Sequence, residues 1–259
     1  MEEHMIKSLH VQTMAATDLA GGHDHSALFQ SSTVSALLEG RYDGDLTFAQ
    51  LAERGDTGLG TLNGLDGEMV ALDGQFYRAD SEGRISAIDP SALTPFAVVV
   101  QFDPDLTSSI RSPSDMDTVL EEVTALLESG SSVAAFRIDG SFESVRARSV
   151  PAQEKPYRPL AEAIASQNVF EIGPCQGTLI GFRFPDWSEG LEVAGFHLHF
   201  IDKDRTRGGH VLAFRILEGT LSAESSSVLE VELPPGVDLA SDGLASEVHE
   251  AIELAERPT

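Results

Sequence analysis

Gly195-Phe196-His197-Leu198-His199-Phe200, followed after a short charged segment by Gly208-Gly209-His210-Val211, is the stretch on which the reading of this chain turns. His197 and His199 are two apart, so on a β-strand both leave the same face, while Phe196, Leu198 and Phe200 leave the other and enter a core. Residues 202–209 are charged and close on two glycines, the pattern of a hairpin loop. A return strand through Val211, Leu212, Ala213 and Phe214 then sets His210 beside His199. Three imidazoles converging on two rigid strands are what a catalytic Zn²⁺ or a similar divalent ion requires.

A single histidine on an apolar strand is usually a hydrogen-bonded core residue. Here three of the chain's 8 histidines fall within 14 consecutive residues. A structural zinc site wants four protein ligands, usually with thiolates, and the chain has 1 cysteine, Cys175, which excludes a closed cysteine-rich site. With no basic partner near it in sequence, Cys175 reads as a packed small residue. Three neutral ligands leave open positions on the ion, which favours a Lewis acid exposed to substrate.

Outward from the histidines, the C-terminal half reads as strands near residues 168–172, 177–184, 193–201, 210–218 and 228–233, closed by an acidic helix over about 245–256. In the N-terminal half, residues 31–39 and 47–54 read as helices stopped by Gly40 and Gly55. A glycine-dense run from Gly55 to Glu68 lacks the following lysine and helix of a phosphate loop and leads into a strand at Met69. Asp73-Gly74 is a two-residue hairpin signal. Residues 95–102 form an apolar strand buried on both faces. Residues 114–129 are the clearest helix, with Met116, Val119, Leu120, Val123, Leu126 and Leu127 in one stripe. Residues 132–138 and 141–150 read as two strands joined at Asp139-Gly140, and the proline-rich stretch 151–159 as a crossover. The pattern is α/β of the α+β type: a tail over 1–25, a mixed-sheet half over 26–155, and a mixed-sheet half over 156–259 that carries the histidine hairpin and ends in a helix. His23-Asp24-His25, flanked by glycines, reads as exposed loop.

The chain has 259 residues, enough to bury a substantial core. Lys+Arg is 17 against Asp+Glu 42, a formal charge of -25. That field repels nucleic acid and anionic membranes and excludes both as partners. It also means that an anionic substrate needs local positive charge from a metal or an arginine. No apolar run approaches a membrane span, and the first residues lack the apolar stretch of a signal peptide. With a single cysteine, these features point to the cytoplasm.

The motifs together resemble a known family. Gly58-Leu59-Gly60-Thr61 through Gly67-Glu68, Arg146-Ala147-Arg148-Ser149-Val150-Pro151, Gly177-Thr178-Leu179-Ile180-Gly181-Phe182 and the histidine hairpin are similar to acetolactate decarboxylase, from about Leu28 to the C-terminal helix. The resemblance implies two α/β halves, each on a mixed sheet, a homodimer, and zinc-dependent conversion of (S)-2-acetolactate into (R)-acetoin and CO₂, in the branch toward butanediol. It places the zinc ligands on His197, His199 and His210, and catalytic roles on Glu68 and Arg148. A C-terminal glutamate of the family folds back over the site; Glu253 and Glu256 both lie in that region, and Glu256 is the one chosen. Thr61 is implied as a substrate-contacting neighbour of Glu68.

The chemistry is consistent with that resemblance. Acetolactate carries its own electron sink, the ketone β to the departing carboxylate, so it needs neither pyridoxal nor thiamine. It needs a Lewis acid that chelates the ketone and hydroxyl oxygens and stabilises an enediolate, and a group that protonates the carbon from one face. Taken alone, Glu68 would read as a solvated edge residue, and Arg146 or Arg148 as the partner of a surface acid. Two other readings compete. A cupin-type oxygenase or isomerase also uses H-x-H on a strand, but Lys203 and Asp204 stand where its glutamate belongs and His210 arrives early. A non-catalytic metal-holding module would bind and turn nothing over.

Overall fold

Alternation along single strands shows how the molecule is layered. On the Ala97–Val100 strand, Val98 and Val100 enter one apolar cluster while Ala97 and Val99 enter another, and all four are fully buried. The sheet that holds them is covered on both faces, which is why its sequence is a continuous apolar run. Each of the three valines contributes roughly 1.5–3 kcal/mol when fully buried.

The structure, a computed structural model, describes residues 9–14, 27–127, 132–188, 190–192, 194–226 and 228–233. Two large sheets hold all but two of the described strands. The first runs in the order Leu9–Met14, Val228–Leu233, Leu28–Ser31, Ala97–Val100, Thr57–Thr61, Glu68–Leu72, Gln75–Ala79, Ile85–Ala87. It is mixed through a single parallel pairing, Val228–Leu233 with Leu28–Ser31. The second runs in the order Leu106–Ile110, Gly208–Ser226, Gly195–Asp202, Cys175–Phe184, Val133–Ser149, Asn168–Ile172, with Ser114–Asp115 also paired to Gly208–Ser226. A mixed sheet was expected in both halves, but every pairing described in this second sheet is antiparallel. Its long strands Val133–Ser149 and Gly208–Ser226 also pair with each other, so they close a ring with the two strands between them.

The sheets face each other across a shared core, in which Leu59, Val70 and Val98 of the first meet Ile180, Phe182 and Ile201 of the second. The helix Met116–Leu126, capped by the Asp115 side chain on the Thr118 N–H, covers the outer face of the second sheet. Its Val119 and Val123, with Leu127, pack against Phe136, Ile138 and Phe200 there. The short helix Phe48–Leu51, opened by a Thr47/Gln50 capping box, covers the outer face of the first. Among the described residues no helix is long and apolar enough to cross a membrane.

Several details depart from the sequence reading. Asp139-Gly140 is not a turn: Val133–Ser149 runs straight through it, because Gly140 is paired with Gly177 on one side and Gly219 on the other. The chain passes from the first sheet to the second between Val100 and Leu106 and returns between Ser226 and Val228. A short helix, Leu160–Ile164, follows the proline-rich stretch. At Asp73-Gly74, by contrast, both residues have positive φ and Leu72 pairs with Gln75, the tight hairpin that the dipeptide signals. The helix expected over 245–256 and the His23-Asp24-His25 tract lie outside the described residues.

Candidate metal centre and active site

The histidine hairpin forms as its spacing requires. Gly195–Asp202 returns as Gly208–Ser226, and His199 and His210 are register partners. Leu198 and Phe200 pack in the outer core and Phe196 lies against it. His197, His199 and His210 are all buried. Their ring centroids are 5.1–5.4 Å apart, and one nitrogen from each lies within 4.8 Å of the others.

Arg148 joins them by register. It is the cross-strand partner of His210 on the other side, so His199, His210 and Arg148 form a row over three adjacent strands. The strands meet this closely because Gly209 has no side chain: a Cβ there would stand 2.8 Å from the Arg148 carbonyl oxygen. Arg148 is buried, at 5 % exposure.

The first sheet delivers Glu68 and Thr61, which are register partners on neighbouring strands. Gly67 makes the turn before Glu68 with φ +87, and a Cβ there would stand 2.3 Å from the Ala79 carbonyl oxygen. The Thr61 hydroxyl donates to the Gly67 carbonyl at 2.8 Å and so holds that turn. Two hydrogen bonds between the sheets then bracket Glu68. His199 Nδ1 donates to the Met69 carbonyl at 2.7 Å, and Ser149 Oγ donates at 3.2 Å to the carbonyl of Ala79, the register partner of Glu68. Glu68 Oε2 comes to rest 3.6 Å from His199 Nε2.

A carbonyl oxygen only accepts, so the proton of neutral His199 sits on Nδ1 and the Nε2 lone pair is the ligating one. His197 Nδ1 lies 3.2 Å from Glu192 Oε1, which sets the same tautomer there. Three buried imidazoles with no thiolate among them fit a divalent metal ion. The cavity around them, about 70 Å³, has Thr61, Glu68, Arg148 and Glu192 in its lining. Val34, Leu37, Leu65, Phe96, Val150 and Ile164 form its apolar wall. A larger open groove of about 730 Å³, lined by Arg111, Arg137, Lys203 and Arg205, contains none of the residues singled out as ligands or catalytic groups.

The structure thus brings together His197, His199, His210, Glu68, Arg148 and Thr61. Glu253 and Glu256 lie outside the described residues. Cys175 is only half-buried and away from the cavity lining, and burial together with the nearby Asp202 carboxylate holds its thiol above the ordinary range. Sequence reasoning missed Glu192, which sits in a loop with no periodicity to mark it. It also missed that the helices Val34–Leu38 and Leu160–Ile164 furnish part of the apolar wall.

Residues 28–245 match the family described as alpha-acetolactate decarboxylase. The chain is 45% identical over 236 residues to the alpha-acetolactate decarboxylase of Methylococcus capsulatus, which covers 91% of this chain and 90% of that one. Against the alpha-acetolactate decarboxylase of Bacillus subtilis it is 37% identical over 219 residues, 85% of this chain and 86% of that one. The crystal structure of alpha-acetolactate decarboxylase from Bacillus subtilis strain 168 is similar with a TM-score of 0.85 and 36% identity, over 90% of this chain and 100% of that chain. The chain belongs to the alpha-acetolactate decarboxylase family.

Proposed function

We propose that this carboxy-lyase converts (S)-2-acetolactate into (R)-acetoin and CO₂ with a zinc ion held by His197, His199 and His210. The observation that carries the reading is the meeting of two sheets at one cavity, with three imidazoles and Arg148 from one and Glu68 from the other. A bound zinc ion would supply Lewis acidity toward the ketone and hydroxyl oxygens and the charge of the enediolate.

The remaining chemistry belongs to the chain. Arg148 supplies the fixed cation that an anionic substrate needs inside a protein of formal charge -25. Its planar guanidinium orients the substrate carboxylate, so that the carbon–carbon bond to be broken stands across the plane of the ketone. As that bond breaks, its electron pair moves onto the ketone and CO₂ leaves. Glu68 then delivers a proton from its carboxyl group to the carbon left behind, and regains one from solvent. One proton is consumed per turnover. Delivery from one side accounts for a single enantiomer of acetoin. Thr61 sets the Glu68 turn and faces the same cavity, and family likeness assigns a further catalytic role to Glu256, with Glu253 as the alternative. A homodimer in the cytoplasm belongs to the reading too, supported by family likeness and, for the compartment, by the single cysteine.

The test is CO₂ release and acetoin formation by purified, zinc-loaded protein on racemic acetolactate, with chiral separation of the product. Acetoin enriched in one enantiomer, formed well above the spontaneous rate, is expected. Product at the spontaneous rate only, or racemic product, would overturn the reading.

A further inference from the structure

Glu192 is fully buried, yet no motif marks it. It lies between the strands Cys175–Phe184 and Gly195–Asp202, five residues ahead of His197. Its Oε1 is 3.2 Å from His197 Nδ1, and it lines the same cavity as the three histidines. A carboxylate taken this far from water is costly to bury unless a donor or a cation meets it.

The loop that carries it is clamped from the opposite sheet. Gln30, itself fully buried, donates through Nε2 to the Leu191 carbonyl at 2.7 Å and to the Ser32 carbonyl at 3.0 Å. The Val34 N–H donates to the same Leu191 carbonyl at 2.9 Å, and Ser35 Oγ to the Gly190 carbonyl at 2.8 Å. Three of these donations, from Gln30, Val34 and Ser35, thus fix the backbone next to Glu192 before any ion arrives. The histidines differ in what stands behind them: His199 leans on a neutral backbone carbonyl, His197 on a carboxylate.

We infer that Glu192 is a positioning residue for the metal centre: its carboxyl group, meeting Nδ1 of His197, holds that ring with Nε2 toward the ion. Removing a carboxylate of this kind behind a ligating histidine typically costs about 10–100-fold in metal affinity. The inference rests on the zinc reading above.

The experiment is competition with a chromophoric zinc chelator on metal-free wild type and E192Q, with the visible spectrum of the cobalt(II)-loaded proteins as a second readout. E192Q is expected to bind zinc about 10–100-fold more weakly. Its cobalt spectrum is expected to shift, while its metal-free Tm stays near that of wild type. Zinc affinity within twofold of wild type with an unchanged cobalt spectrum overturns the inference. So does a fall in metal-free Tm with affinity preserved, since that marks a purely structural ion pair. Should E192Q fail to fold, E192D keeps the charge but withdraws it by one methylene; weaker zinc binding supports the inference and wild-type affinity sinks it. Wild type that takes up no zinc at all would instead strike down the metal reading beneath it.

Discussion

His199 Nδ1 lies 2.7 Å from the carbonyl oxygen of Met69, the residue that follows Glu68. With the Ser149–Ala79 bond, this contact joins the two sheets at the candidate site. It fixes the His199 tautomer and, through the adjacent peptide, the place of Glu68, whose Oε2 is 3.6 Å from His199 Nε2. Ligand orientation and carboxylate placement are therefore coupled, and a change at either should be felt by the other.

His199→Ala removes one imidazole and the bond to Met69 together. Two histidines hold a divalent ion far less tightly than three, so zinc content after dialysis is expected to fall below about one tenth of the sites, with acetoin formation lost in proportion. Metal analysis beside the activity assay checks this. A variant that retains both zinc and turnover would remove His199 from the ligand set.

Glu68→Gln keeps the shape of the side chain and removes the proton it can give. Zinc content should stay at the wild-type level, because Glu68 is not needed to complete the trio. The rate constant kcat should fall by about 10²–10⁴-fold, the usual worth of a positioned general acid. Wild-type kcat in a correctly folded E68Q protein would reduce Glu68 to a structural member of its turn.

Much of this site was legible because its signals are local. A two-residue spacing puts His197 and His199 on one face, and a glycine-closed loop returns His210. The partnership of Arg148 with His210 is a register between strands about sixty residues apart, which no local pattern encodes; only the family resemblance pointed to Arg148. Asp139-Gly140 misled for the complementary reason. The dipeptide favours a turn by itself, but paired strands on both sides hold it extended. Glu192 left no trace because its role comes from a loop fixed by Gln30, over 160 residues away. The change of sheet between Val100 and Leu106 is equally invisible, since both flanking segments read as strands.

Arg148→Lys preserves the charge and loses the planar fork. A buried guanidinium that orients a carboxylate in two directions is not replaced by a point charge. The expected result is a 10–100-fold fall in kcat/KM with unaltered zinc content, expressed mainly in KM if Arg148 binds the substrate carboxylate equally in ground and transition states. Unchanged steady-state kinetics would remove Arg148 from the substrate-binding groups.

Glu224 sets a pH dependence of stability away from the cavity. It is 4 % exposed on the Gly208–Ser226 strand, and among the described residues its Oε1 has no hydrogen-bond partner. Burial, reinforced by the charges of Asp103, Asp105 and Asp56 and only partly offset by the Asp103 backbone N–H, raises its carboxyl from 4.5 to about 7. A carboxyl raised on folding stabilises the native state below its ordinary value and loses that contribution as pH climbs toward 7. Above pH 7 the folded protein carries a buried charge that the unfolded chain would solvate. Glu224→Gln should therefore be more stable than wild type at pH 8, by on the order of 2 kcal/mol, and should match it near pH 4, where both forms are neutral. Denaturant titrations of the two proteins at both pH values decide the matter: parallel stability curves across this range would mean that Glu224 titrates normally and that its burial is relieved in solution.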